Sequence, residues 1–386
     1  MEFTVPKSDF KNAIGLTRKA LSKVVIQEER GHLLFKVSGP TMTVQATNND
    51  LKARCSIDVT NPSGEDFSFT ADPKILEKLI SKVEVQDISI EFDKSALTVK
   101  VYTTDSKKSF TTLQSFPPDK MLTFEDPTKK ERTEYTVNKA ALVFALEFAD
   151  NFLAPKKEEQ KQYDFVVINK GIVFSSNGTN KMGFIALKTL EPVIDMKIRK
   201  LVLPLYVSFV DGIGDTEIKL IDTDKDIGIE SLDGKFYFSF LKSTLESPQI
   251  SREFLKSEAP YITIDKGRLI KITDRLLIGT SSSSMVGIEF NLTGDKDTSN
   301  LELKLVSTKE AVETIVCTRV GDTDQPINRV IDSRTLKAVV GSFDTDKDVR
   351  LHICDNGKSF KIFNSGDVEG NKYVLAGIGA YARIVK

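Results

Sequence analysis

Apolar positions along the chain follow two alternating rhythms. In residues 7–22 they recur every three to four positions, so Phe10, Ala13, Ile14, Thr17, Ala20 and Leu21 share one helical face while Lys11, Arg18, Lys19 and Ser22 share the other. Ile75, Leu76, Leu79 and Ile80 repeat the pattern against Lys74, Lys78 and Lys82. Elsewhere the period is two: segments 87–92, 97–102, 234–240, 285–292, 301–305, 349–353 and 360–363 alternate as half-buried antiparallel strands do. Asp233-Gly234 and Asn356-Gly357 read as hairpin turns between such strands.

A strand end, a short polar or proline-containing turn and an amphipathic segment occur together six times: Phe3-Thr-Val-Pro-Lys-Ser-Asp-Phe10, Phe69-Thr-Ala-Asp-Pro-Lys-Ile-Leu76, Tyr135-Thr-Val-Asn-Lys-Ala-Ala-Leu142, Leu201-Val-Leu-Pro-Leu-Tyr-Val-Ser208, Ile262-Thr-Ile-Asp-Lys-Gly-Arg-Leu269 and Arg329-Val-Ile-Asp-Ser-Arg-Thr-Leu336. Their third residues are 5, 71, 137, 203, 264 and 331, spaced by 66, 66, 66, 61 and 67. Ser8, Asp72, Asn138, Asp265 and Asp332 are candidate helix caps, and Pro6, Pro73 and Pro204 suit a first turn. The unit is thus one helix followed by three or four strands. A lone unit leaves a helix and a sheet face to cover, and pairing two of them does so. The expectation is an α+β chain of three repeated domains, 1–129, 130–256 and 257–386, each with two helices packed on antiparallel sheets.

Composition adds little until it is divided by element. The 386 residues carry 54 Lys+Arg against 55 Asp+Glu, a net charge of −1, with 40% hydrophobic residues; that is ordinary globular composition. No apolar run approaches a membrane span and no signal-peptide core opens the chain, so a cytoplasmic protein is expected. Yet the windows 7–23, 72–83, 138–151, 204–213, 265–276 and 332–342 hold 15 basic and nine acidic residues, a net +6 that leaves −7 for the remainder. The helices are basic and the rest is acidic.

Catalytic chemistry is scarce. Cys55, Cys317 and Cys354 are widely spaced in apolar, strand-like context and read as buried thiols, and His32 and His352 are isolated. Asp222-Thr-Asp-Lys-Asp226 and Asp344-Thr-Asp-Lys-Asp348 begin like calcium loops but lack the glycine and glutamate such a loop requires. Gly377-Ile-Gly379 is no dinucleotide fingerprint, and Asn177-Gly-Thr179 and Asn291-Leu-Thr293 match a glycosylation sequon by chance. No enzyme, metal or cofactor is expected.

The three internally doubled repeats resemble the bacterial DNA polymerase III beta sliding clamp. Local matches accompany the spacing: Phe236-Tyr-Phe-Ser-Phe-Leu-Lys-Ser-Thr-Leu-Glu-Ser-Pro248 is similar to that family's last strand of the second domain and the turn after it, Ser175-Ser-Asn-Gly178 to its Ala-Thr-Asp-Gly, and Lys372-Tyr-Val-Leu-Ala-Gly-Ile378 to its Tyr-Val-Val-Met-Pro-Met ending. The resemblance implies a homodimeric head-to-tail ring around duplex DNA, a replication processivity factor with helices lining the hole. DNA would be held without reading sequence, through phosphate contacts by Lys11, Arg18, Lys19, Lys23, Lys74, Lys78, Lys82, Lys266, Arg268, Lys271, Arg275, Arg334 and Lys337. It also implies a groove for an apolar peptide of the polymerase and clamp loader, lined by Tyr163, Ser176, Gly178, Lys181, Met182, Pro248, Arg252, Val374, Ala376 and Ile378. Ring closure would bring segment 108–113, with Phe110 and Thr112, to Leu277 and Ile278 of another copy. Two departures stand out. The family's Gly-His-Arg-Leu becomes Gly178-Thr-Asn-Lys-Met182, which needs one inserted residue, and the chain runs about eight residues beyond Ile378. The alternative expectation is a clamp-fold peptide-binding scaffold that no longer encircles DNA.

Overall fold

The structure, a computed structural model, describes residues 1–21, 31–48, 50–104, 107–128, 131–153, 164–193, 195–242, 255–256, 260–278, 287–295, 298–306, 311–321, 328–343, 348–353 and 359–380. Asn356-Gly357, Cys354 and the second acidic loop up to residue 347 lie outside these, as do Lys23, Tyr163, Pro248 and Arg252 among the expected site residues.

One order of elements occurs three times. The first repeat is β1 (Glu2–Pro6), α1 (Lys7–Thr17), β2 (Leu33–Ser38), β3 (Thr41–Thr47), β4 (Leu51–Asp58), β5 (Phe67–Ala71), α2 (Pro73–Lys82), β6 (Asp87–Asp93), β7 (Thr98–Tyr102) and β8 (Phe110–Gln114). The second is β9 (Arg132–Asn138), α3 (Lys139–Asp150), β10 (Phe165–Asn169), β11 (Ile172–Ser176), β12 (Lys181–Leu187), β13 (Met196–Arg199), α4 (Leu203–Asp211), β14 (Glu217–Thr223), β15 (Asp226–Ser231) and β16 (Phe236–Leu241). The third is β17 (Tyr261–Asp265), α5 (Lys266–Leu276), β18 (Gly287–Asp295), β19 (Thr298–Val306), β20 (Val312–Val320), β21 (Asn328–Asp332), α6 (Ser333–Gly341), β22 (Asp348–Ile353), β23 (Ser359–Val368) and β24 (Asn371–Ala380).

By compactness the chain divides into two units, Met1–Lys139 with Pro204–Lys242, and Ala140–Leu203 with Ser243–Lys386. The first unit holds a four-stranded sheet, β1-β6-β7-β8, and an eight-stranded sheet, β5-β2-β3-β4-β16-β15-β14-β9. The longer sheet is two four-stranded sheets fused where β4 pairs β16, Phe236 opposite Cys55 and Phe240 opposite Leu51. In the second unit one sheet runs β13-β10-β11-β12-β24-β23-β22-β17-β20-β19-β18-β21. Here the fusion is β12 against β24, from Lys181 opposite Gly379 to Leu187 opposite Tyr373. Both joins match the fourth strand of one repeat to the last strand of the next.

The helices form for reasons visible in their sequences. Asp72 accepts from the amides of Lys74 and Ile75, Asp265 from Arg268 and Asp332 from Thr335, satisfying first-turn donors. Ser8 does not cap α1: Pro6 holds the N-cap position, and the Ser8 hydroxyl donates to Asp9 instead. Phe10, Ala13, Ile14 and Thr17 of α1 are buried as the period requires, and so is Leu16. Ile75, expected in the core of α2, is 50% exposed, because only Leu76 and Ile80 turn fully to the sheet. The first unit's core is aromatic, with Phe35 and Phe69 stacked at 4.7 Å and Phe3, Phe67 and Phe92 around them.

A lysine opens the first helix of every repeat and reaches the end of the second. The ammonium of Lys7 donates to the Val83 carbonyl after α2, Lys139 to Ile213 after α4 at 2.8 Å, and Lys266 to Phe343 after α6. Each cation meets carbonyl charge just past a helix C-terminus, and in the first and third repeats this accompanies packing of α1 on α2 and of α5 on α6.

Candidate functional site

The exposed helix faces carry two kinds of cation. Some are committed to partners. Arg18 Nε sits 2.9 Å from Glu77 Oε1 of α2, and Lys19 donates to the Ser208 carbonyl at 3.1 Å and hydroxyl at 2.7 Å. Partial burial lowers the Lys19 pKa, and neighbouring Arg18 adds to that against the pull of Asp211. Arg275 forks onto Glu313 at 2.8 and 2.9 Å, and Lys337 meets Asp274 at 2.7 Å. Lys266 is the helix-end lysine already described, and Arg334 is exposed. The others, Lys11, Lys74, Lys78, Lys82, Arg268 and Lys271, are exposed, and their side chains have no partner among the described residues. Lys74, Lys78 and Lys82 follow at four-residue steps, so their ammoniums form one stripe along α2.

In the second unit the joined strands β10, β11, β12 and β24 turn one face to the helices and the other away. Glycines permit the first contact: a Cβ on Gly183 would lie 2.3 Å from the Phe152 ring, and one on Gly377 2.7 Å from Val339. The opposite face is an apolar cluster of Phe165, Val167, Ile172, Phe174, Phe184, Phe363, Ala376 and Ile378, with Met182 and Leu255 packed against it. Of the expected groove residues, Ser176, Met182 and Ile378 stand in one cross-strand row. Ala376 is fully buried in the cluster, and Val374 lies farther along β24, partly exposed.

The β11–β12 turn frames one end. Asn177 Oδ1 accepts from the amides of Thr179, Asn180 and Lys181, Ser176 Oγ accepts from Gly178 N, and Gly178 adopts φ +74. Asn180 ties the turn to Thr335 at 2.8 Å. Lys181 does not join Met182: its ammonium donates to the Asn151 carbonyl after α3, where burial lowers its pKa against the raising influence of Asp150. Phe165, Val167, Ile172, Phe174, Phe184 and Phe363 make up most of the face and were not singled out from the sequence. The apolar runs 165–168 and 172–174 were the available signal.

Two strand edges complete the picture. β8 ends its sheet, with β7 as its one ladder partner among the described strands, and it displays Phe110, 52% exposed, beside Thr112. Residues 312–317 of β20 pair with β19, while β17 takes up Thr318–Val320. Val312 and Val316 are exposed on this strand, Val316 at 63%. At the end of α5, Leu277 is half-buried and Ile278 is 78% exposed. An intradomain core role for Phe110 or Ile278 is excluded by that exposure.

Among the described residues no group of three or more His, Cys, Asp or Glu could hold a metal ion. Burial pushes the Cys55 thiol up to about 12 and Cys317 to about 11, leaving neither as a thiolate. No described helix is long and apolar enough to cross a membrane.

The chain matches no protein-family model and no curated protein. Solved structures do match it over their whole length and its own. A DNA polymerase III subunit beta from Pseudomonas aeruginosa shares 14% identity at a TM-score of 0.78. A DNA polymerase III beta subunit from Thermotoga maritima shares 13% at 0.74, and a DnaN sliding clamp from Bartonella birtlesii, bound to griselimycin, 13% at 0.77. The likeness is one of fold, and the repeated architecture described above is the architecture of those proteins.

Proposed function

Taking the clamp fold as premise, we propose that this chain is a DNA sliding clamp: a non-enzymatic processivity factor that closes into a homodimeric ring around duplex DNA and tethers a polymerase through a peptide groove. The domains would be 1–129, 130–256 and 257–386. The observation that carries the reading is the inventory of strand edges. The fourth strand of the first repeat is joined to the last of the second (β4 to β16), and the fourth of the second to the last of the third (β12 to β24). The last strand of the first repeat, β8, ends its sheet, and on the fourth strand of the third, β20, residues 312–317 have β19 alone as ladder partner among the described strands, β17 taking up only Thr318–Val320. A third join of the same kind requires another copy, and two copies supply one another. Phe110, Ile278, Val312 and Val316 would be covered by it.

The cations without partners among the described residues, Lys11, Lys74, Lys78, Lys82, Arg268 and Lys271, suit the DNA-facing role best. Flexible ammoniums on helices attract phosphates and impose no register, which sliding demands. Lys266 serves the fold instead, and Arg18, Arg275 and Lys337 would first have to release a carboxylate. The apolar face around Met182 and Ile378 would take the peptide of a polymerase or of a clamp loader. A cytoplasmic location goes with these partners.

Light scattering tests closure: the expected mass is twice 43.0 kDa. Retention on circular DNA with loss on linearisation tests encirclement. A dimer that binds peptides yet is retained on neither DNA form would instead be the scaffold.

A further inference from the structure

The apolar face at the β12–β24 join does not end at the groove residues. At the far end of the same strands Ile172, Ala186 and Val374 stand side by side in register and floor a cleft of about 370 Å³. Leu255 belongs both to the cluster and to this cleft, so the two are continuous. Its rim is basic: Lys170, Lys188, Lys256 and Lys372 are all exposed there, with Glu191 the one acidic residue among those described as lining it. The rim is also held firmly. Lys170 and Gly171 form a tight turn at φ 47 and 82, their amides donate to Val193 and Leu190, and a Cβ on Gly171 would sit 2.8 Å from Glu191.

We propose that this cleft extends the partner groove and selects linear peptides whose apolar core is flanked by acidic residues. The proposal rests on the groove reading and names the partner's chemistry. An apolar floor accepts an aliphatic or aromatic side chain, while four ammoniums against one carboxylate favour anionic neighbours. Lysines act as mobile point charges, so they reward acidic flanks without demanding one geometry. The chain's own C-terminal residues, with Arg383 and Lys386, have the wrong sign for this site.

The test uses fluorescein-labelled peptides sharing one Leu- and Phe-containing core, flanked on either side by glutamates, glutamines or lysines, and reads anisotropy with the full chain. At about 50 mM NaCl the glutamate-flanked peptide binds about tenfold more tightly than the glutamine one, an advantage that shrinks below about twofold at roughly 500 mM. Lys188→Ala/Lys372→Ala, which leaves two of the four rim lysines, cuts the advantage to about threefold or less. Equal affinity for both peptides in the unaltered protein, with both lost in Met182→Asp, overturns the acidic preference while the groove stands. Absence of binding by every peptide overturns the groove reading and this one with it. Displacement of the glutamate-flanked peptide by a short DNA duplex reassigns the cleft to phosphate and likewise overturns it.

Discussion

Removing the two exposed apolar anchors, Phe110 on β8 and Ile278 after α5, is the most informative perturbation. Fully burying a large apolar side chain contributes about 1.5–3 kcal/mol. With Phe110 52% and Ile278 78% exposed, covering what each still shows is worth about 1–1.5 and about 1.5–2 kcal/mol. A two-subunit ring contains each contact twice, so Phe110→Ala/Ile278→Ala weakens the dimer by about 5–7 kcal/mol and raises its Kd by about four to five orders of magnitude. Each single variant gives roughly its own share. Sedimentation velocity on labelled protein across a dilution series reads the change. The folded chain should tolerate both replacements, because both side chains are mostly at the surface, Phe110 against the Tyr102 ring at 5.9 Å and the Lys100 ammonium at 5.7 Å. Its circular dichroism melt therefore serves as the control. A double variant that melts normally and dimerises as tightly as the parent refutes the assignment of these edges to closure.

Other outcomes follow from single features. Replacing Lys11, Lys74, Lys78 and Lys82 together by alanine removes eight ammoniums from a two-subunit ring and lowers the magnitude of the salt-dependence slope for DNA by up to about 7, measured as log K against log salt. Tyr206 is fully buried with a hydroxyl that has no hydrogen-bond partner among the described residues, so Tyr206→Phe is neutral or stabilising by about 1 kcal/mol in thermal unfolding. Glu230 receives Arg132 at 3.1 Å and Arg54 at 3.5 Å in a nearly buried network; because those arginines keep Glu134 and Asp126, Glu230→Gln costs about 2–3 kcal/mol in urea titrations rather than more. Burial, helped by Lys361 and Arg350, lowers the His352 pKa from 6.5 to about 4. The unfolded chain then binds the proton first, so stability present above about pH 6.5 is lost as pH falls towards 4, by about 2 kcal/mol, and His352→Phe flattens that dependence in pH-resolved melts.

Periodicity and spacing made the repeat legible because each helix announces itself locally, through a cap such as Asp72 or Asp332 and a run of apolar positions. The helical period overstates the buried face only at the margin, as at Ile75, because α2 offers four apolar residues and Leu76 and Ile80 already cover the sheet. Strands β10 and β11 escaped the period-two reading since they are buried on both faces, from Phe165 to Ile168 and from Ile172 to Ser176, and so do not alternate. The joins of β4 to β16 and β12 to β24 depend on pairing between strands far apart in sequence, which no local pattern encodes. For the same reason the lysine-rimmed cleft was invisible: Lys170, Lys188, Lys256 and Lys372 come from four separate segments and meet only through the register of the folded sheet.

In the proposed ring the edges that meet are unlike, β8 of one copy and residues 312–317 of β20 of the other, and that asymmetry would bear on stoichiometry. A contact between unlike surfaces does not use itself up: every copy added offers a fresh β8 or β20 to the next. The interface therefore specifies no number of subunits. Closure of such a ring would be set by the rotation between neighbouring copies, so a variant with these edges intact but that rotation altered is expected to form larger rings or open filaments rather than monomers.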